Sequence, residues 1–389
     1  MDIIKETQKI MPQVIEWRHT LHQIPEVGFE LHQTADYVKN VLSELGIAYK
    51  DNQGCACGIL GLIKGEKPGK TLAIRSDMDA LAIVEETGLP FASKNGNMHA
   101  CGHDAHMSIL LGIAKLLMEN RDKLCGEVRL IFQPAEELGT GSEKMIAAGV
   151  LDGVDEIIGF HVGALCDDPR NGVLFFHKSA LMATMDRFKI TVKGKGAHGS
   201  APERSIDPIM VASEIVCALQ NIISREVSPT EPCVISVCKF TSGTAFNIIP
   251  DTAELEGTTR VFDEGVREYI EKRIGEVAEN VALGLRATIS YEYLRQPPPL
   301  INDSLVTEKV YNCAKQLYPN DVEMMSKGIM TGEDFAYYVK DVPGTYFLLQ
   351  NVMPIDGVKY SNHNCKFALD ESVMDKIIAT SVAYALQEA

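Results

Sequence analysis

Cysteines at metal-knuckle or redox spacing are missing from this chain. Ten cysteines occur in 389 residues, yet no two form a Cys-x-x-Cys pair. A chain of this length is no disulfide scaffold, so most thiols are expected to be reduced and buried. Cys55 and Cys57 stand two apart, share one face if extended, and read as core. There is no apolar run of about 18 residues, so no transmembrane helix is expected. The opening Met1-Asp-Ile-Ile-Lys-Glu-Thr-Gln lacks the basic and apolar regions of a secretory signal, and a cytoplasmic location is the expectation. Positive charge is scarce: 37 Lys and Arg against 53 Asp and Glu leave a net charge of −16. Such a surface disfavours nucleic acid and anionic membranes as partners. Also missing are a Gly-x-Ser-x-Gly elbow and a phosphate-binding glycine loop before a helix, which argues against a serine hydrolase or a nucleotide enzyme.

What remains is ordinary globular material, 46% hydrophobic and 23% charged, with length for one or two domains and a full core. Ile3–Leu45 reads as two helices joined near Pro25. Strand and helix signals then alternate: Leu72–Arg75 as a strand, Asp104–Asn120 as a helix, Glu127–Phe132 as a strand, Ser142–Gly149 as a short helix and Glu156–Phe160 as a strand. Alternating βα units imply an α/β fold with a mostly parallel, doubly wound sheet. From about Met185 to Leu294 the rhythm changes. Phe188–Lys193, Val234–Phe240, Ala253–Val261 and Ala287–Tyr293 read as strands, with helices at Asp207–Ser224 and Gly265–Leu285. The order βαββαβ is that of a ferredoxin-like sandwich inserted into the first domain. Residues 1–184 and 295–389 are therefore expected to form one domain and 185–294 the other. Gly344–Leu349 is a last strand, and a helix closes the chain near 370–386.

The densest chemistry lies at Met98-His-Ala-Cys-Gly-His-Asp-Ala-His106, three of the chain's ten histidines within nine residues, ahead of an apolar run. Cys101 and His103 flank a glycine that lets the backbone turn tightly, so both can face one transition-metal ion. His99 reads as a plain packed histidine, and His106, in the first helical turn, as a packing or substrate contact.

The other polar residues recur after strands. Asp77 and Asp79 follow the first, Glu136 and Glu137 the second, and His161 the third. In open α/β sheets ligands bind outside the carboxyl ends of strands. Adjacent glutamates there can divide labour, one binding metal and one handling protons. Asp79 is read as holding a ligand in place from behind. Asp77 has three readings: metal ligand, orienting group, or partner of Arg75. In the second domain, His198 sits in Gly194-Lys-Gly-Ala-His-Gly, a mobile donor or a plain surface loop. Arg260 can clamp a carboxylate bidentately or pair with an acidic neighbour. Gly332-Glu-Asp-Phe335 and His363 have no readable role from spacing.

Taken together, Arg18-His-Thr-Leu-His22, Arg75-Ser-Asp-Met-Asp79, Ala100-Cys-Gly-His-Asp-Ala-His106, Pro134-Ala-Glu-Glu137, Gly196-Ala-His198, Gly332-Glu-Asp-Phe335 and Asn362-His363 resemble the aminoacylase/carboxypeptidase metallopeptidases. The similarity is to their amidohydrolase branch of hippurate hydrolases, N-acyl-amino-acid amidohydrolases and indoleacetyl-amino-acid hydrolases. The resemblance implies hydrolysis of an N-acyl amino acid by two divalent metal ions per subunit, zinc, manganese or nickel. Cys101, His103, Glu137, His161 and His363 would be ligands, Glu136 the base, His198 a lid donor, and Asn247 and Arg260 contacts to the substrate carboxylate. A homodimer through the lid is also implied. The family at large places histidine where Asp77 stands, two residues before Asp79, and this chain departs from it there. A carboxypeptidase or dipeptidase of the same family is the alternative, and a non-catalytic binding protein on the same scaffold a further one.

Overall fold

Strands buried on both faces are apolar along their length, and three such runs build the middle of the main sheet. The computed structural model describes residues 2–388. The chain opens with helices α1 (Ile3–His22) and α2 (His32–Glu44), followed by strands β1 (Ala48–Lys50), β2 (Ile59–Lys64) and β3 (Lys67–Asp77). Next come α3 (His103–Glu119), β4 (Cys125–Gln133), α4 (Gly141–Ala147), β5 (Glu156–Gly163), β6 (Val173–Phe176) and β7 (Ala180–Met182). The middle of the chain forms β8 (Asp186–Lys193), β9 (Ala197–His198), α5 (Pro208–Asn221), β10 (Cys233–Ser242), β11 (Ile248–Ile249), β12 (Thr252–Val261), α6 (Glu264–Gly284) and β13 (Thr288–Leu294). The last part carries β14 (Leu300–Ile301), α7 (Ser304–Leu317), β15 (Val322–Met324), α8 (Phe335–Asp341), β16 (Gly344–Gln350) and α9 (Asp375–Glu388).

Two compact units result: residues 1–181, 301–329 and 334–389 in the first, and residues 182–300 with 330–333 in the second. The first unit holds an eight-stranded sheet in the order β1-β2-β4-β3-β5-β16-β6-β15. The central pairs β4/β3, β3/β5 and β5/β16 are parallel, while β1/β2, β2/β4 and β16/β6 are antiparallel. The expected mostly parallel sheet is therefore present. One expectation is corrected: His161 does not follow its strand. Pairing of β5 with β16 runs on to Gly163, opposite Gln350, so His161 lies within the strand, opposite Leu348.

Helix α3 is buried nearly all round, from His103 to Leu117, and packs against α1, α9 and β3. Apolar side chains from these elements form one continuous core. The second unit contains the sheet β10-β12-β8-β13, all antiparallel, with α5 and α6 and its own core around Ile190, Leu219, Leu255 and Ile274. Aspartates at the N-caps of α5, α6 and α7 (Asp207, Asp263 and Asp303) accept backbone N–H groups that a helix start leaves unpaired. Among the described residues no helix is long and apolar enough to cross a membrane.

The start of α3 is tied to α1 by buried charge. Asp104 lies 2.8 Å from His22 Nδ1 and 3.0 Å from Arg18 Nε, and His22 Nε2 reaches Glu85 at 3.2 Å. Burial lowers the pKa of His22, but Asp104 and Glu85 outweigh it and raise it from 6.5 to about 9. A group more basic when folded stabilises fully below about 6.5 and loses that contribution as pH rises through about 9. We predict that wild type exceeds His22→Gln by on the order of 3 kcal/mol at pH 6. The gap should close by pH 10, as followed by denaturant unfolding of both proteins. A gap that stays constant across that window would contradict the assignment.

Candidate metal centre

Five chain segments converge at the carboxyl edge of the first unit's sheet, β5 with His161 among them. β3 ends at Asp77, with Asp79 two residues on. Beyond β4 the chain reverses through Pro134 and Ala135, whose φ of 58° is left-handed and costs a non-glycine residue about 1–2 kcal/mol. The carboxylate of Asp79 holds that turn, accepting the backbone N–H of Glu136 at 3.0 Å and of Glu137 at 3.1 Å. Gly102 turns the 98–102 loop into α3 with φ 93°, and a Cβ there would lie 2.8 Å from Val162 Cγ2. His363, also left-handed at φ 67°, donates its N–H to Ala100 O at 2.8 Å.

These turns bring six of the expected residues together. Cys101 Sγ is 3.4 Å from His161 Nε2 and 3.3 Å from His363 Nε2. His363 Nε2 lies 3.3 Å from Glu137 Oε1. His103 Nε2 is 4.0 Å from both Glu136 Oε2 and Glu137 Oε1. Several overlapping sets have donor atoms within the reach of one ion: Cys101, His103 and His161; Cys101, Glu137 and His363; His103, Glu136 and Glu137. Among the described residues, buried His103 Nε2 and Glu137 Oε1 have no hydrogen-bond partner. Orphaned buried donor atoms facing one another around a thiol and imidazoles are the arrangement a zinc-like cation satisfies. The donor set fits a transition metal.

Electrostatics point the same way. Burial, then Glu137 and Glu136, push the Cys101 thiol well above its usual range. Burial opposes protonation of His103, but Asp77 and Asp79 prevail and raise it from 6.5 to about 10. The carboxylates thus draw in a positive charge, which a proton supplies when no metal ion does. Burial disfavours the charged form of Glu137, yet His363 and His103 hold it below the usual range. His103 Nδ1 donates to Asp79 O at 2.7 Å and His161 Nδ1 to Val162 O at 2.7 Å, which turns the Nε2 atoms inward.

A second layer lies behind. Arg75 is fully buried, donating to Asp77 at 2.8 Å, Asp334 at 2.8 Å and Gln133 at 2.9 Å. Asp77 accepts from His106 Nδ1 at 2.6 Å, and His106 Nε2 accepts the Val162 N–H at 3.0 Å. Both nitrogens of His106 are thereby used within the protein. Of the three readings of Asp77, the contacts support partner of Arg75 and orienting group. Asp334 also takes Gln133 Nε2 and the Ser142 N–H, and caps the turn into α4. It was unreadable from spacing because its partner Arg75 is 259 residues away. His99 is buried, and its pKa is lowered to about 3 by burial, so it packs as a neutral ring.

The remaining expected residues fall in the second unit. His198 in β9 pairs with Ile248 in β11, and Gly199 N donates to Asn247 O at 2.8 Å. His198 and Asn247 therefore sit side by side on one small ribbon. His198 is exposed, with Nδ1 2.7 Å from Ser200 Oγ. Arg260, in β12, donates to Thr258 Oγ1 and Thr259 O and pairs with no carboxylate among the described residues.

Residues 73–387 match the model of a family described as Peptidase family M20/M25/M40, and the chain belongs to it. It is 38% identical over 382 residues to thermostable carboxypeptidase 1 of Saccharolobus solfataricus, covering 96% of each chain. It is 40% identical over 365 residues to N-acetyl-L-cysteine deacetylase of Bacillus subtilis, covering 94% of this chain and 85% of that one. Its structure is similar to that of the Bacillus subtilis YXEP protein, described as a dinuclear metal binding peptidase, with TM-score 0.84, 34% identity and 98% of both chains covered. The resemblance read from the motifs is borne out.

Gly102 combines a left-handed backbone with a close approach to Val162 at the centre. We predict that Gly102→Ala destabilises the protein by about 2–4 kcal/mol, left-handed strain adding to overpacking against Val162. Urea unfolding checks this, and a loss below about 0.5 kcal/mol would contradict it.

Proposed function

We propose that the chain is a metal-dependent amidohydrolase that cleaves N-acyl amino acids to a carboxylic acid and a free amino acid. The observation that carries this is the convergence of Cys101, His103, Glu137, His161 and His363 beside the second glutamate, Glu136. Those five residues would hold two divalent ions, and the thiolate favours zinc-like metals, with manganese and nickel also acceptable. When bound, such ions lower the pKa of water from about 15.7 towards about 7 and polarise the scissile carbonyl.

Glu136 is the proton carrier. Its backbone N–H is pinned by Asp79, so its carboxylate stays at the rim of the cluster. It takes the proton of the attacking water and returns it to the leaving amine. His198 is the donor to the oxyanion; its Nδ1 is engaged by Ser200, which leaves Nε2 for the substrate. Asn247 and Arg260 bind the substrate carboxylate, and Arg260 has N–H donors not committed to an acidic partner. Asp79 fixes His103 and both glutamates from behind.

In this reading residues 1–184 and 295–389 are the catalytic domain. Residues 185–294 are a ferredoxin-like lid whose βαββαβ order suits that name, and the protein dimerises through it. A cytoplasmic location belongs to the same reading, since all ten cysteines are free thiols. A second reading, a carboxypeptidase on the same centre, is favoured by the 38% identity to thermostable carboxypeptidase 1.

Amino acid release from N-acetyl and N-benzoyl amino acids, set against dipeptides, separates the two. We expect release from the acyl amino acids and loss of activity with a chelator. Activity on dipeptides alone would replace the first reading by the second. Glu136→Gln should lower turnover by about 10²–10⁴-fold with metal content unchanged. A metal-loaded, fully active variant would refute its role. His198→Ala should lower turnover by about 10²–10³-fold, and wild-type rates would remove the lid donor.

A further inference from the structure

Three of the segments that build the centre share no covalent neighbourhood: the loop at Ala100–Cys101, the end of β5 at His161–Ala164, and the stretch carrying His363. One side chain, Asn362 in the third of them, bonds to the other two. Asn362 Nδ2 donates to Cys101 O at 3.1 Å and to Val162 O at 3.2 Å. Its Oδ1 accepts the Ala164 N–H at 2.8 Å. The amide orientation is unambiguous, because the reverse would set an oxygen against two carbonyls and an NH₂ against an N–H. Asn362 precedes His363, whose N–H is itself bonded to Ala100 O.

Gly163 completes the fit. It has φ 125°, and a Cβ there would lie 2.3 Å from Asn362 Oδ1 and 2.5 Å from Nδ2. The backbone of β5 is thus kept bare where the amide passes. Val162 O also receives His161 Nδ1, so Asn362 and the ring of His161 share one carbonyl acceptor.

We propose that Asn362 is a positioning residue that assembles the metal centre, setting the relative placement of Cys101, His161 and His363 while ligating nothing itself. This rests on the reading that those three residues bind metal. Asn362→Asp tests it, keeping the shape and the acceptor for Ala164 while losing both donors. Gly163→Ala tests it independently by displacing the amide.

Cobalt(II) is the probe. Added to the metal-free full-length protein, it reports a Cys101 bond through thiolate-to-cobalt absorption. Wild type should show the band. Both variants should bind Co²⁺ about 10–100-fold more weakly, with a weakened band at saturation, as expected when a group behind the ligands is lost. If Asn362→Asp does not fold, Asn362→Ser, whose hydroxyl can serve one carbonyl, is read in its place. Wild-type affinity and band in the folded variants would overturn the proposal. So would a lowered thermal midpoint with an unchanged spectrum, which is what a purely structural role gives. No thiolate band in wild type would overturn both this proposal and the metal-centre reading, whereas a band kept in wild type and variants alike overturns this proposal alone.

Discussion

Carboxylates, imidazoles and a thiol buried at one sheet edge must have their charge compensated, and the first unit is organised around that demand. Asp77, Asp79, Asp334, Glu136 and Glu137 meet there, and Arg75 is the guanidinium that answers Asp77 and Asp334. Uncompensated charge in such a site costs several kcal/mol per ion. The surplus is negative, which is why His103 is held protonated to a pKa of about 10 when no cation is present. A bound divalent ion would take over that compensating role, and its binding would compete with protons on His103 and Cys101.

Compensation of this kind works only if the groups are held still, and the fold supplies rigid mounts. The candidate ligands sit on β5, the first residue of α3, and turns pinned by Asp79 and Asn362. Helix α3 is fixed on one side by Arg18 and His22 through Asp104, and on the other by Asp77 through His106. Left-handed backbone at Ala135 and His363 is tolerated because hydrogen bonds on either side determine those turns. The residues assigned to substrate lie in the second unit, on a ribbon and a strand separate from this rigid frame.

Much of this was legible before any coordinates. Local spacing was enough to single out Cys101 and His103 as candidates, because a glycine between two potential ligands near a helix start is a short-range signal. Strand ends were enough for Asp79, Glu136 and Glu137, since the βα rhythm says where carboxyl edges lie. The end of β5 was misjudged because its last residues pair with β16, almost 190 residues further on. Asp334 and Asn362 stand in motif segments, but their roles were not readable from spacing, as each acts through partners remote in the chain. Support for two of the three readings of Asp77, partner of Arg75 and orienting group, comes only from contacts in the folded chain, where Arg75 and His106 engage its two oxygens.

X-ray absorption at the zinc edge of the zinc-loaded protein tests the central claim most directly. If Cys101 is a ligand, the spectrum will contain a sulfur scatterer at about 2.3 Å among nitrogen and oxygen neighbours, and Cys101→Ser will lose it. Zinc bound with nitrogen and oxygen alone in the unmodified protein would contradict the account.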